Sequence, residues 1–204
     1  MVAKPALIST LLLAAAGGIP SQQHKPSSPP NVLRESNLTW TGHVDDDGPL
    51  ISFTGPNLQH IEAQIRERRP GFAWARIAES TTVKYPGKSR SASNDVLCHV
   101  PWPIIFASVF HIEQGIRYLH GIQGDCNIGP GPANCSRVSC SYDSGIWFCN
   151  DNPHPISVSC SMLGDHALDI VEKCYDYGHF PTDQVFGQEL DIDNWNVIVA
   201  GTNC

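Results

Sequence analysis

The stretch Cys126–Asn152, CNIGPGPANCSRVSCSYDSGIWFCNDN, holds four of the eight cysteines of this 204-residue chain. Two short runs within it, Arg137–Tyr142 and Ile146–Asn150, are rich in residues that favour β-strands, and turn-forming residues separate them. The pattern predicts a β-hairpin, with Ser144 and Gly145 as its two turn residues.

In that register Cys140 lies directly opposite Cys149, in the kind of strand pair where the facing Cα atoms approach most closely. The two thiols then either bridge each other or both point toward one helix and bridge elsewhere. In either case we expect the hairpin to be the covalent centre of the fold.

The N-terminus has the pattern of a secretory signal peptide. Lys4 precedes an apolar run, Leu7–Ala16, which ends in small residues suited to cleavage, so residues 1–16 are interpreted as the signal peptide. The run is shorter than the ~20 apolar residues that a membrane-spanning helix needs. We therefore expect a secreted, extracellular protein with no membrane span.

Secretion decides how the cysteines are interpreted. The export route is oxidising and the number of cysteines is even, so the sequence predicts four disulfides. A structural zinc site needs close cysteine pairs, and the spacing here has none, so we expect no metal and no cofactor. The predicted disulfide cysteines are Cys98, Cys126, Cys135, Cys140, Cys149, Cys160, Cys174 and Cys204.

Composition divides the rest of the chain. Residues 17–50, which begin with a stretch rich in Ser, Pro and Gln, are predicted to be a disordered or loosely ordered arm. Residues 51–94 are predicted to be a helix and strands that pack on the core, and residues 95–204 a cysteine-rich α/β domain. The net charge of −7 disfavours nucleic-acid binding, which needs basic patches, and we expect a monomer.

In the front part, Leu58, Ile61 and Ile65 recur at helical spacing and predict a helix that ends before Pro70. The strand candidates that follow are 72–77 and 81–85, and a loop is predicted at 86–94.

Two N-glycosylation sequons begin at Asn37 and Asn134. Asn37 is the favoured site, because Cys135 in the second sequon competes as a disulfide partner.

From Asp95 onward, strand and helix patterns alternate. A helix with one apolar face follows a first strand and precedes the hairpin; a second helix, with Ser161 as its N-cap and Cys174 on its buried face, follows the hairpin. This order predicts an α+β fold, a two-layer α/β sandwich in which two main helices lie on one antiparallel sheet. We expect Cys174 to tie the second helix to a strand. The predicted strands are 96–100, 156–160, 185–190 and 195–199, and the first helical face is Ile105, Val109, Ile112, Ile116 and Leu119.

The run Gly129–Asn152, GPGPANCSRVSCSYDSGIWFCNDN, the helix ending at Cys174 and the terminal WNVIV together resemble a group of small, secreted, cysteine-rich proteins of filamentous fungi. Members of that group are regarded as candidate effectors. The resemblance covers Val96–Cys204 and implies that Cys126 and Cys160, which are additional to the usual cysteines of the group, bridge each other. The element order is also similar to the sandwiches of fungal killer toxins and necrosis-inducing effector domains, which implies a fold and not a function.

Candidate catalytic residues are few. Glu113, Arg117 and His120 fall on one strip of the first helix and could serve a ribonuclease as base, phosphate clamp and acid. The favoured interpretation is an exposed ion pair beside a surface histidine. His166 and Asp169 on the second helix are interpreted in the same way.

Two further sets are weaker candidates. Asp191 and Asp193 could flank a sugar, although solvated strand positions are favoured. The aromatic residues Trp147, Trp195, Tyr142 and Phe148 could form a platform for a glycan or protein, although core packing is favoured.

Two functional classes remain. The favoured hypothesis is a non-enzymatic, secreted, effector-like protein that interacts with a protein or glycan of a host or competitor. The alternative is a secreted hydrolase that acts on RNA or a glycan. The lack of a nucleophile motif favours the first class, so an enzyme is not expected.

Overall fold

The computed structural model describes residues 34–45, 47–74, 95–98, 105–175 and 183–204. The predicted signal peptide, the predicted strand 81–85 and the predicted loop 86–94 lie outside these residues. The helices are α1 (Leu58–Arg68), α2 (Val109–His120) and α3 (Cys160–Cys174). The strands are β1 (Arg34–Glu35), β2 (Leu38–Gly42), β3 (Ile51–Gly55), β4 (Asp95–Leu97), β5 (Ala107–Ser108), β6 (Asp125–Ile128), β7 (Asn134–Ser141), β8 (Ser144–Asn150), β9 (Ile156–Ser159), β10 (Gln184–Val185), β11 (Gly187–Leu190) and β12 (Trp195–Gly201).

The larger sheet has the strand order β1-β7-β8-β12-β11-β4, and its strands are antiparallel except for the parallel pair β1–β7. One face is covered by two helices that also pack on each other, with α2 on β7 and β8 and α3 on β11 and β12. The apolar stripes of these helices share one core with Phe148, Val197 and Val199. The predicted α+β sandwich, with two main helices on an antiparallel sheet, is confirmed.

A smaller antiparallel sheet, in the order β3-β2-β6-β9, joins the front of the chain to the cysteine-rich part. Leu38 and Trp40 of β2 are fully buried, and the Trp40 indole Nε1 donates a hydrogen bond of 2.9 Å to the Gln123 carbonyl. The prediction of a loose arm through residue 50 is therefore wrong for residues 38–42. Alternation of large apolar and small polar residues makes this segment a half-buried strand.

The predicted disulfides are all formed, and no cysteine is free. Cys98 follows β4 and bonds to Cys174, so the second helix is tied to a strand as predicted. Cys126–Cys160 joins β6 to the start of α3, which is the pair that the fungal resemblance implies. The remaining pairs are Cys135–Cys149 and Cys140–Cys204.

The predicted register of the hairpin is wrong. The two turn residues are Tyr142 and Asp143, with φ of 45° and 57°, which is the left-handed backbone of a type I′ hairpin turn. Cys140 consequently faces Gly145, and Cys149 faces Cys135. The sequence prediction placed the turn two residues too late because Tyr is an unusual residue at positive φ.

Gly145 serves a different purpose from the one predicted. It pairs with Cys140 inside the sheet, and a Cβ atom there would lie 2.6 Å from the Trp147 ring and 2.9 Å from the Thr202 methyl group. Gly145 is therefore required by space and not by turn conformation.

Two helix starts also differ from prediction. α2 begins at Val109, so Ile105 lies outside the helix and is exposed. α3 begins at Cys160 with Ser159 as its N-cap residue, and the predicted cap Ser161 lies inside the first turn. α1 ends at Arg68, before Pro70, as predicted. No helix in the described part of the chain is both long and apolar enough to cross a membrane.

Candidate functional site

The strip of α2 proposed as catalytic contains paired side chains. Arg117 Nη1 lies 3.8 Å from Glu113 Oε2, and His120 Nε2 lies 3.0 Å from Asp165 Oδ1. The second contact links α2 to α3. Arg117 and His120 are mostly buried, whereas the side chains of Glu113 and Asp165 keep 38% and 39% of their surface exposed. The predicted exposed ion pair is therefore only partly exposed.

His166 is almost entirely buried, with 2% of its surface exposed. The sequence pairs it with Asp169 on the same helix, but in the structure it contacts Asp191, whose Oδ2 lies 3.4 Å from His166 Nε2. The Trp195 ring lies 4.5 Å from the imidazole, centroid to centroid. Glu189 is also buried, and its carboxyl group acts to raise the pKa of the His166 ring. We call His166, Asp191, Glu189 and Trp195 the buried histidine centre.

The buried histidine centre corrects the interpretation of Asp191 and Asp193. Asp191 is buried and holds the turn between β11 and β12, where its Oδ1 accepts a hydrogen bond of 2.9 Å from the Asp193 amide. Only Asp193 is exposed. The two carboxylates are therefore not a solvated pair along a strand and do not flank an open sugar site.

The predicted aromatic platform is divided between the core and the surface. Trp147, Phe148 and Trp195 are buried, as the favoured interpretation of core packing expects. Tyr142 differs, because its position at the tip of the β7–β8 turn leaves 78% of its surface exposed.

Tyr142 belongs to a cluster of exposed apolar side chains at this end of the sheet. Its ring stacks on His111 with centroids 4.4 Å apart and planes 16° apart, and Phe110 packs edge-on against His111 at 5.2 Å. Phe110 and two residues before α2, Ile105 and Phe106, are also exposed. We call Ile105, Phe106, Phe110, His111 and Tyr142 the aromatic patch.

The backbone beneath the aromatic patch is fixed by hydrogen bonds. The Gly201 amide donates to the Ile105 carbonyl at 2.7 Å, and the Thr202 amide donates to the Asp143 carbonyl at 2.9 Å. The Ser108 amide donates to Ser144 Oγ at 3.0 Å. These bonds join the start of α2, the hairpin turn and the end of β12 into one frame, which the Cys140–Cys204 disulfide closes.

Asparagine side chains organise the loops at the opposite end of the sheet. Asn150 Nδ2 donates to the carbonyl oxygens of Gly129 and His154 at 2.9 and 2.8 Å. Asn152 Nδ2 donates to the carbonyls of the β11–β12 turn, those of Asp193 at 2.8 Å and Asn194 at 3.0 Å. This role is not predicted from the sequence above, although the run NDN at 150–152 is typical of side chains that bond to nearby backbone.

The two sequons differ in their surroundings. Asn37 is exposed between β1 and β2. Asn134 is the first residue of β7, has strand partners on both sides and precedes the disulfide-bonded Cys135. This difference supports the preference for Asn37, and its modification stays a prediction.

Comparison with protein-family models, curated proteins and solved structures finds no match to this chain. Among the described residues, no group of three or more His, Cys, Asp or Glu side chains is arranged to hold a metal ion. Function is therefore inferred from the chain's own surfaces.

Proposed function

We propose that this chain is a secreted, effector-like protein that binds a protein or glycan of a host or competitor outside the cell and catalyses no reaction. The signal-peptide pattern at residues 1–16 and the fungal resemblance of Val96–Cys204 support secretion and the effector role. Four disulfides, and described helices that are all too short to span a membrane, are compatible with an extracellular protein.

The observation that carries the proposal is the aromatic patch. Large apolar side chains cost free energy when they face water, and clusters of them mark surfaces that bind other molecules. Aromatic residues supply much contact area for little loss of side-chain freedom. The hydrogen-bonded frame holds them in place before binding, which lowers the entropic cost of association.

The polar groups support binding over catalysis. The carboxylate of Glu113 faces Arg117 in an ion pair, and His166 is buried away from any substrate.

A hydrolase remains the second candidate because of one contact. His120 and Asp165 form a hydrogen-bonded pair that reaches solvent through the aspartate. A histidine oriented by a carboxylate is a common general acid or base. Purified protein assayed on RNA and on wall polysaccharides tests this candidate: turnover that disappears in His120→Ala would replace the binding proposal.

The binding proposal is tested with immobilised, disulfide-bonded protein and fluid from the host apoplast. The double variant Phe110→Ser with Tyr142→Asn removes two rings of the aromatic patch. The matched control is Ile192→Ser, which removes an apolar side chain that is 63% exposed at the opposite end of the sheet. Retained proteins are measured by mass spectrometry, and retained glycans by sugar analysis after elution.

We expect the double variant to lose most of the retained material while the control keeps it, with all three proteins showing the same thermal unfolding. Retention that is equal in wild type and double variant would overturn the aromatic patch as the binding surface. Retention of proteins alone or of glycans alone would identify the class of partner.

A further inference from the structure

Both ring nitrogens of His166 face hydrogen-bond acceptors. Nδ1 lies 2.9 Å from the Met162 carbonyl oxygen, one turn earlier in α3, and Nε2 lies 3.4 Å from Asp191 Oδ2. A carbonyl oxygen can only accept, so Nδ1 carries a proton. A neutral imidazole would then present a bare Nε2 to a carboxylate. A hydrogen bond between Nε2 and Asp191 therefore needs a second proton, carried either by Nε2 or by the Asp191 carboxyl group.

Two contacts favour the ring as the site of that proton. The other oxygen of Asp191 accepts the Asp193 amide at 2.9 Å, and such a bond favours the ionised carboxylate. Glu189 on β11 adds a second carboxyl group close to the ring. In a poorly solvated site, nearby carboxylate charges strongly favour the positively charged form of the imidazole ring.

We propose that the buried histidine centre is a pH-sensitive contact between a turn and a helix. The imidazolium form of His166 holds the Asp191–Asn194 turn against α3, and loss of its proton releases the turn. Among the described residues, two carboxyl groups act on the ring: that of Asp191 from the turn, by contact, and that of Glu189 from β11, by its charge. β12 contributes the uncharged Trp195 ring, and α3 itself the Met162 carbonyl.

The direction of the pH effect follows from opposing influences on the ring. Burial lowers the pKa of His166, but the hydrogen bond with Asp191, the Glu189 charge and the Met162 carbonyl together raise that pKa above its ordinary value. A raised pKa in the folded state means that the added stability is complete below the unfolded pKa, about 6.5. The stability is lost as the pH rises through the folded value, when the ring that faces the Asp191 carboxylate loses its positive charge.

The first experiment is an NMR titration of the intact, disulfide-bonded protein labelled with ¹⁵N in histidine. We expect both His166 nitrogens to be protonated at pH 5 and the ring to titrate above the ordinary histidine range. A His166 ring that holds a single proton at pH 5, or that titrates at or below the ordinary range, would overturn the proposal.

Release of the turn is measured by hydrogen exchange in the same protein. The amides of Asp191 and Asn194 bond to the carbonyls of Trp195 and Asp191 and report opening of this turn. Each unit by which the folded pKa exceeds the unfolded one corresponds to about a tenfold rise in opening once the ring is deprotonated. If the exchange rates of these amides rise with pH only as much as base-catalysed chemical exchange predicts, the turn is not released and the proposal is contradicted.

A pair of variants assigns the effect to this site. Asp191→Asn keeps the shape and the oxygen that accepts the Asp193 amide, but removes the charge that faces His166. We expect a lower His166 pKa and a much smaller pH dependence of turn exchange. Asp165→Asn makes the same change beside His120 and should leave the turn unaffected.

If Asp191→Asn keeps the wild-type pH dependence of turn exchange, this contact does not hold the turn and the proposal fails. If that variant does not fold, the wild-type titration and exchange still decide the question.

Discussion

Two turns at opposite ends of the larger sheet both contain residues with left-handed backbone, but their side chains have different roles. The β7–β8 turn has Tyr142 and Asp143 at positive φ, and the β11–β12 turn, Asp191–Asn194, has Asn194 at φ 59°. The first extends an aromatic ring into solvent, whereas the second places its first carboxylate in the core beside His166. The backbone of each turn thus sets the pairing of its two strands, whereas its side chains determine whether the turn faces a binding partner or stabilises the core.

The difference suggests a division of roles. The side chain of Tyr142 in the β7–β8 turn can be removed without leaving a buried polar group unpaired, because it lies mostly outside the core. Removal of the Asp191 side chain takes away the buried carboxylate that faces His166, and loss of one partner of a buried pair is costly. We therefore expect mutations at the first turn to alter binding and mutations at the second to alter folding.

The largest expected effect is that of Asp191→Ala. Removal of one partner of a buried charged pair typically lowers the free energy of unfolding by about 3–5 kcal/mol. Chemical denaturation at pH 5 with the disulfides intact measures this loss. Asp165→Ala is the control; this carboxylate is 39% exposed beside His120, so its removal should cost no more than about 1 kcal/mol. Similar losses in both variants would mean that the buried histidine centre is no more important to stability than this partly exposed pair.

Much of this fold could be predicted from local pattern. Helical spacing of apolar residues gave α1 and the buried faces of α2 and α3, and the alternation of elements gave the sandwich. These features depend on neighbours in sequence, which is why they can be recognised without a structure.

The missed features depend on contacts between distant segments. The burial of Leu38 and Trp40 requires β2 to pair with β6, far along the chain. His166 and Asp191 are 25 residues apart on different elements, so no spacing rule connects them. The hairpin turn was missed for another reason: the spatial requirement at Gly145 resembles, in sequence alone, the conformational requirement of a turn glycine.

Gly145→Val tests this new account of the β7–β8 hairpin. The added side chain meets the Trp147 ring and Thr202, so we expect a loss of about 1–3 kcal/mol from overpacking, together with a lower secreted yield. Arg117→Ala is the control, because its ion pair with Glu113 spans a long 3.8 Å and contributes about 0.3–0.5 kcal/mol. Yields and unfolding free energies from one expression host are compared; parity of the two variants would refute the spatial role of Gly145.

Asn194→Ala addresses the backbone of the second turn separately from its buried carboxylate. Asn194 is exposed, and its φ of 59° disfavours alanine, so the expected loss is about 1 kcal/mol. Asn194→Gly, which tolerates this backbone, should stay close to wild type. Thermal unfolding of the wild type and the two variants at pH 5 shows whether the loss comes from the positive φ or from the asparagine side chain. A larger loss in the glycine variant than in the alanine variant would show that φ is not the constraint.

Tyr142→Asn should have the smallest effect on stability and a large effect on binding. Asparagine is favoured at the positive φ of a type I′ turn, which offsets the lost stacking on His111. We expect the free energy of unfolding to stay within about 0.5 kcal/mol of wild type, the range usual for surface substitutions. Retention of partner material should nevertheless fall, because the most exposed ring of the aromatic patch is gone. A loss of stability comparable to that of Asp191→Ala would mean that both turns serve the fold alike, and the division of roles between the two ends of the sheet would be wrong.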